Sequence, residues 1–297
     1  MRASLYLITA ASLWGLNFQF AKLMLRESGF LEAGAWRYLL GVITLLLISL
    51  GALPSYTLFK RNWRGALLVG LIGLFGFNLF FFLGINLTSP INAALIVSLN
   101  PATTIILSYF LLRTSITKNQ IVGTIISLVG VLYLLSKGNL AMLSSLSFSL
   151  GDLLILVANI LFALHHVWVK KYTVDISNKH FTTLTGLVCA TGFVIALIIV
   201  PDASLNFNHS TTFWISAFGI GSLGTSIAYL LWNKGVTIVG ADKAGIFMNF
   251  VPMATAISAL FFGQQLYLFH YISGAIITAG MVLSGSSLKV LLDSFRR

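Results

Sequence analysis

Long apolar runs separated by short polar breaks make up almost the whole chain. Ten runs approach the length a helix needs to span a bilayer, about 20 mostly apolar residues. They cover roughly 4–25, 33–52, 65–84, 91–112, 119–136, 150–169, 181–200, 212–232, 242–263 and 268–288. The longest break, about 13 residues from Lys137 to Ser149, contains the serine-rich piece SSLSFS and divides the runs into two sets of five. The pattern predicts an all-α integral membrane protein with ten transmembrane helices. The first run follows a basic residue, as in a secretory signal. It is long and shows no cleavage site before Lys22, so it reads as a retained helix.

Two of the runs carry a proline near the middle: Pro101 in Ile91–Leu112 and Pro252 in Asp242–Gly263. Proline inside a helix removes a hydrogen bond and clashes with the preceding turn, at about 3 kcal/mol. In lipid the freed carbonyl must face protein or a wet cavity. A matched pair of interrupted runs, one per half, points to a transporter's binding site.

The halves also match each other. An offset of 151 places Pro101 on Pro252 and Gly123 on Gly274, and an offset of 148 places Trp14 on Phe162, Lys22 on Lys170, Gly76 on Gly224 and Phe81 on Tyr229. The change of three then falls in the break before the proline run. Five is odd, so the second half enters the membrane from the opposite side. The expected organisation is two inverted five-helix repeats, 1–137 and 150–297, joined by a linker over 138–149, with a short cytoplasmic tail. Such repeats give two nearly equivalent conformations, as alternating access requires.

Composition agrees: 58% of residues are hydrophobic and 8% charged, against about 25% charged in soluble domains. The net charge of +11 is scattered between runs rather than gathered on one soluble face, which argues against a nucleic-acid partner. With the N-terminus in the cytoplasm, fourteen Lys and Arg fall inside and two, Arg26 and Lys137, outside. That bias predicts ten spans with both termini cytoplasmic; the membrane expected is the cytoplasmic (inner) one. A single cysteine, Cys189, excludes an intrachain disulfide.

The residue pattern resembles the drug/metabolite transporter superfamily, in its EamA-type ten-helix branch. The carrying residues are Trp14-Gly15, Asn17-Phe18 and Lys22, then Arg37, Asn92-Ala93-Ala94, Pro101 and the Gly123–Gly130 pair. In the second half they are Gly224, Tyr229-Leu230-Leu231-Trp232, Pro252 and Gly274. The resemblance implies a carrier of amino acids, nucleosides, sugars or other small metabolites, often outward. It also implies a cavity lined by the first, third, fourth, sixth, eighth and ninth helices. The chain departs from the family where a glutamate commonly ends the fourth and ninth helices. Those places hold Thr114 and Gln265, and Gly280 is one residue out of step with Gly130.

The seven acids, Glu27, Glu32, Asp152, Asp175, Asp202, Asp242 and Asp293, all fall in breaks or at run ends. Without a mid-membrane carboxylate, His165 and His166 are the candidate proton carriers. The same absence argues against a multidrug extruder and favours a carrier driven by the solute's own gradient. Lys22 and Arg37 sit near the outer ends of their runs as anchors or a gate, with Arg37 within reach of Glu27 or Glu32. Polar residues inside runs, Asn17, Asn78, Asn100, Asn159 and Asn249, must face other helices or a cavity. With the aromatic residues Trp14, Phe18, Phe77, Phe81, Trp168, Tyr229 and Trp232 they suit an apolar pocket with a few orienting polar groups. The expected substrate-binding set is Trp14, Asn17, Phe18, Asn78, Phe81, Asn100, His165, Trp168, Tyr229, Trp232 and Asn249. Its expected partners are a small amphiphilic metabolite such as an amino acid, with export favoured, and the lipid bilayer; a monomer is expected. No cofactor, metal spacing or enzyme signature emerges. The competing class is a lipid-modifying membrane enzyme or assembly factor, which would use Lys22, Arg37, Glu27 and Glu32 beside a lateral opening to lipid.

Overall fold

The computed structural model describes residues 2–49, 55–85, 87–88, 90–139, 141, 148–201, 203–263 and 265–284. Every regular element among them is helical. The first two runs form α1 (Arg2–Met24) and α2 (Phe30–Ile48). The third is a continuous rod of α3 (Tyr56–Leu67), a π-helical stretch Leu68–Gly76, and α4 (Phe77–Ile85). There follow α5 (Pro90–Ser98), α6 (Asn100–Leu112), α7 (Lys118–Leu135), α8 (Leu150–Tyr172) and α9 (Asn178–Ile199). The eighth run is again a rod: α10 (Thr211–Phe218), a second π stretch Gly219–Ile227, and α11 (Ala228–Val239). The ninth is broken into α12 (Ala241–Ala244), the 3₁₀ turn Gly245–Asn249, α13 (Phe250–Ala259) and the 3₁₀ turn Leu260–Phe262; α14 (Leu268–Leu283) ends the described chain.

Among the described residues, seven helical segments are long and apolar enough to cross a membrane: Phe30–Ile48, Tyr56–Gly84, Asn92–Leu112, Lys118–Leu135, Leu150–Tyr172, Asn178–Ile199 and Thr211–Val239. That is a coarser result than the ten of the hydropathy pattern. Of the remaining three, α1 carries Ser4, Ser12, Asn17, Gln19 and Lys22 along its length, the ninth segment is interrupted, and α14 has 16 residues. The third helix starts at Tyr56, well before the expected 65, because α3 is amphipathic: Lys60, Arg61 and Arg64 are exposed while Gly65 and Ala66 are buried. A hydropathy window passes over such a turn. The ends of the second and tenth runs and most of the serine-rich linker lie outside the described residues.

Helix starts follow from the polar residues at the breaks. Ser55, Thr117, Ser149, Ser177 and Ser210 each accept the backbone N–H of the third residue of the next helix, a cap worth about 1 kcal/mol. The two interruptions fall ahead of the prolines rather than at them, at Leu99 and at Gly245–Asn249. The cause is local: a proline restricts the residue before it and leaves a carbonyl one turn earlier without its N–H. The two interruptions meet directly, because a Cβ on Gly245 would lie 3.2 Å from Thr104 Cβ and 3.5 Å from Pro101 Cα.

Packing places α1 between α11 and α13, and α8 between α4 and α6; α2 lies on α9 and on Gly219–Ile227, α9 on Leu68–Gly76, and α7 on α14. The largest buried apolar cluster runs through the centre from Leu7 and Trp14 to Phe162, Trp232 and Phe247.

Candidate functional site

Helices α1, α8 and α11 bring six rings together at the centre. Trp14 lies 5.7 Å from Phe162, 5.2 Å from Tyr229 and 4.9 Å from Trp232, centroid to centroid. His165 stands 5.6 Å from Phe162 and 5.5 Å from Tyr229, and His166 stands 5.1 Å from Trp232. Phe77 stacks on Phe162 at 4.4 Å, and Phe81 leans on Phe77 at 5.7 Å. The close approach depends on the two glycine-bearing π stretches. A Cβ on Gly73 would lie 2.9 Å from His165 Cβ, and one on Gly224 would collide with the Asn17 amide.

Two indole N–H groups fix the cluster: Trp14 Nε1 donates to Gly224 O at 3.0 Å, and Trp232 Nε1 donates to His166 Nδ1 at 2.9 Å. Because His166 Nδ1 accepts, its ring proton sits on Nε2. Among the described residues that Nε2 has no partner, and the His165 ring and the Asn233 side chain face each other, close enough to interact but short of good hydrogen-bonding geometry. All three residues are buried. Leaving a buried polar group unpaired costs about 1–3 kcal/mol, so the closed centre carries a concentrated polar deficit.

The other predicted residues divide. Asn78 Nδ2 donates to Tyr38 Oη at 3.0 Å and to Leu74 O at 2.7 Å, at the edge of the cluster. Asn100 and Asn159 instead join α6 to α8: Asn100 Nδ2 donates to Asn159 Oδ1 at 3.0 Å, and Asn159 Nδ2 donates to Thr103 Oγ1 at 3.0 Å. Asn249 Nδ2 donates to Ser127 Oγ at 2.9 Å, joining the ninth segment to α7. Trp168 packs partly buried on the core without a ring contact to the cluster. Phe18 is 50% exposed and points away from it, and Lys22 is exposed.

Arg37 departs most from expectation. It reaches inward, not to the acids: its Nε donates to Thr225 Oγ1 at 2.9 Å. Glu27 and Glu32 instead hold the stretch ahead of α10. Ser210 donates through its backbone N–H at 2.9 Å and its hydroxyl at 2.5 Å to Glu27. Asn206 N–H donates to Glu32 Oε1 at 2.7 Å, and His209 Nε2 lies 2.9 Å from the same oxygen. The Ser210 hydrogen bonds hold the Glu27 carboxyl below the usual carboxylate range. The acids that a lipid-modifying site would use are thus occupied in fastening a loop.

Sequence reasoning missed Tyr38, Thr225 and Asn233. Asn233 follows the expected end of the eighth run by one residue, and Tyr38 neighbours the flagged Arg37. Clefts of about 190 Å³, among Leu134, Met253, Ile257 and His270, and about 530 Å³, between Tyr56 and Ile195, open on the flanks. Neither is lined by a predicted site residue. The rings of Trp14, Phe162, Tyr229 and Trp232 at the centre are buried in this conformation.

A bundle of apolar helices around a polar, ring-lined centre defines a multi-pass membrane protein. The chain belongs to the EamA-like transporter family, whose model matches residues 1–136 and 149–286. It is 29% identical over 279 residues to the Bacillus subtilis (strain 168) protein "Uncharacterized transporter YyaM", covering 93% of this chain and 91% of that one. It is 25% identical to "Uncharacterized inner membrane transporter YicL" of Salmonella typhimurium (strain LT2), covering 100% of this chain and 97% of that one. A solved crystal structure 18% identical in sequence superposes with a TM-score of 0.80 over 95% of this chain and 97% of its own, which shows the fold. The family points to a transporter rather than an enzyme.

Proposed function

We propose that the protein is a secondary transporter that carries a small organic metabolite, an amino acid or similar amphiphile, across the cytoplasmic membrane by alternating access. Export is the favoured direction. One observation carries this reading: the polar atoms of His165, His166 and Asn233 that lack well-formed hydrogen bonds among the described residues, set among the rings of Trp14, Phe162, Tyr229 and Trp232. When the helices part, those atoms are free to meet a solute, and the rings supply its apolar walls. Trp14, Asn17, Asn78, Phe81, His165, Tyr229 and Trp232 form the site; Asn100 and Asn249 hold helices together around it.

The reading includes ten spans in two inverted units, and the packing supports it. Cross-half contacts come in exchanged pairs: α1 with α11 and α8 with α4, α1 with α13 and α8 with α6, α2 with Gly219–Ile227 and α9 with Leu68–Gly76. The pairs α2 with α9 and α7 with α14 exchange with themselves, as elements beside a twofold axis do. Gly73 faces His165 as Gly224 faces Asn17. This aligns the third and eighth runs at an offset of 151 instead of 148, so Asn78 rather than Phe81 corresponds to Tyr229.

The test is counterflow in proteoliposomes against a metabolite library. Wild-type protein is expected to exchange one class of small amphiphile, and Tyr229→Ala to lower that exchange at least about tenfold at unchanged expression. Absence of exchange with every solute by folded wild-type protein would overturn the proposal.

A further inference from the structure

Arg37 is half-buried in the bundle, and among the described residues no carboxylate pairs with it. Its partner Thr225 lies midway along the 29-residue segment Thr211–Val239, so the guanidinium sits at the level of the bundle centre. Its Cζ lies 5.4 Å from the centroid of the Tyr38 ring, and Cys189 and Tyr229 are close by; none of the three side chains carries a formal charge in its ordinary form. The acids among the described residues are committed elsewhere: Glu27 to Ser210, Glu32 to Asn206 and His209, Asp152 to Thr88, Asn92 and Ser149, Asp175 to Arg61 at 3.6 Å, and Asp242 to Gln120. A cation at this depth is costly, and such residues normally face a pathway and its counter-charge. Here the described residues supply no counter-charge.

The position is also where three segments converge. Trp14 of α1 donates to Gly224 O, the Asn17 side chain rests on Gly224, and Arg37 of α2 donates to the next residue, Thr225. With Nε fixed by Thr225, the two terminal nitrogens remain as a fork, the edge that grips a carboxylate through two parallel hydrogen bonds. One guanidinium matches one carboxylate. A phosphate dianion would keep a second charge unmatched, since Lys22 is exposed at the end of α1. The nearby faces of Trp14 and Tyr229 suit an ammonium group on the same molecule.

We propose that Arg37, held at Thr225, receives the carboxylate of the transported solute and makes the protein selective for α-amino acids over their amides. This rests on the transport reading above and names its substrate class. The experiment is inhibition of counterflow in proteoliposomes by the proteinogenic amino acids, each paired with its α-carboxamide. Wild-type protein is expected to prefer at least one acid over its amide by about a hundredfold or more. Arg37→Gln should abolish the preference and Arg37→Lys weaken it by about tenfold, with both variants monodisperse on gel filtration. Amides that compete as well as acids in wild-type protein would overturn the proposal while leaving transport intact, and so would a preference that survives Arg37→Gln. If Arg37→Gln does not fold, the wild-type comparison decides. Wild-type protein inert to both members of every pair, yet active on other solutes, would overturn this inference alone; protein inert to all solutes would overturn both readings.

Discussion

Two helix seams of this protein are built on opposite principles. Along α7 and α14 the backbones touch: a Cβ on Gly123 would lie 2.5 Å from Gly280 O, one on Gly280 2.5 Å from Ser127 N, and one on Gly130 2.9 Å from Ile277 N. Dispersion and small-residue packing saturate there, and nothing is gained by separation. At the centre, where α1, α8 and α11 meet, large rings pack around imidazole nitrogens and an amide oxygen that lack well-formed hydrogen bonds among the described residues. One seam is most stable shut. The other keeps a polar deficit when shut, which a solute or water can relieve. A carrier needs both, a line that holds and a line that parts.

The largest expected effect comes from forcing the tight seam. Gly280→Val should destabilise the protein by about 3 kcal/mol, read as a lower midpoint of thermal unfolding in detergent. Gly29→Ala, where an added Cβ meets nothing within 4 Å, should leave that midpoint in place. Equal behaviour of the two would show that the α7–α14 contact is not close.

The central seam should respond differently. His165→Leu replaces a buried ring, whose two nitrogens lack well-formed hydrogen bonds among the described residues, by an apolar side chain. It should leave stability unchanged or raise it by about 1 kcal/mol while lowering counterflow at least about tenfold. Lost stability with retained transport would make His165 a packing residue. Trp232→Phe removes the N–H that His166 accepts. It should cost about 1 kcal/mol, as a lower unfolding midpoint, with weaker transport.

The smallest effect belongs to the loop fastened by Glu27. Its carboxyl titrates below the ordinary value of 4.5 because Ser210 donates two hydrogen bonds to the charged form. A depressed folded value contributes stability above the unfolded value and loses it as pH falls through the folded one. Hydrogen-exchange protection of 206–210 should therefore drop on acidification below about 4.5, and Glu27→Gln should remove that step. An unchanged acid profile in the variant would assign the step to another group.

Much of this was legible in the sequence, because a bilayer-length apolar run has few solutions other than a helix. The matched prolines located both interruptions to within one or two turns, and Trp14, His165, Tyr229 and Trp232 were identifiable as polar or aromatic residues inside apolar runs. Rotation of a helix about its axis was not legible. Phe18 follows Asn17 by one residue, about 100° of turn, and points away from the cluster. In a helix apolar all round no periodicity reports which face is inward. The depth of Arg37 was not legible because its helix begins at Phe30, earlier than the apolar run suggests, which puts its backbone two turns in, from where the side chain reaches Thr225. The poor hydrogen bonding of His165 depends on three other helices, and no local pattern records it.

Cysteine accessibility tests the contrast between the seams most directly. In a Cys189→Ala background, Asn17→Cys probes the centre and Ile277→Cys probes the α7–α14 contact. Both are to be labelled with a membrane-impermeant thiol reagent in oriented proteoliposomes. The expected result is that position 17 reacts from either side, with transported solute slowing the reaction, while position 277 reacts from neither. Labelling of position 277 as fast as position 17, or a position 17 that is closed to both sides in actively exchanging vesicles, would contradict it.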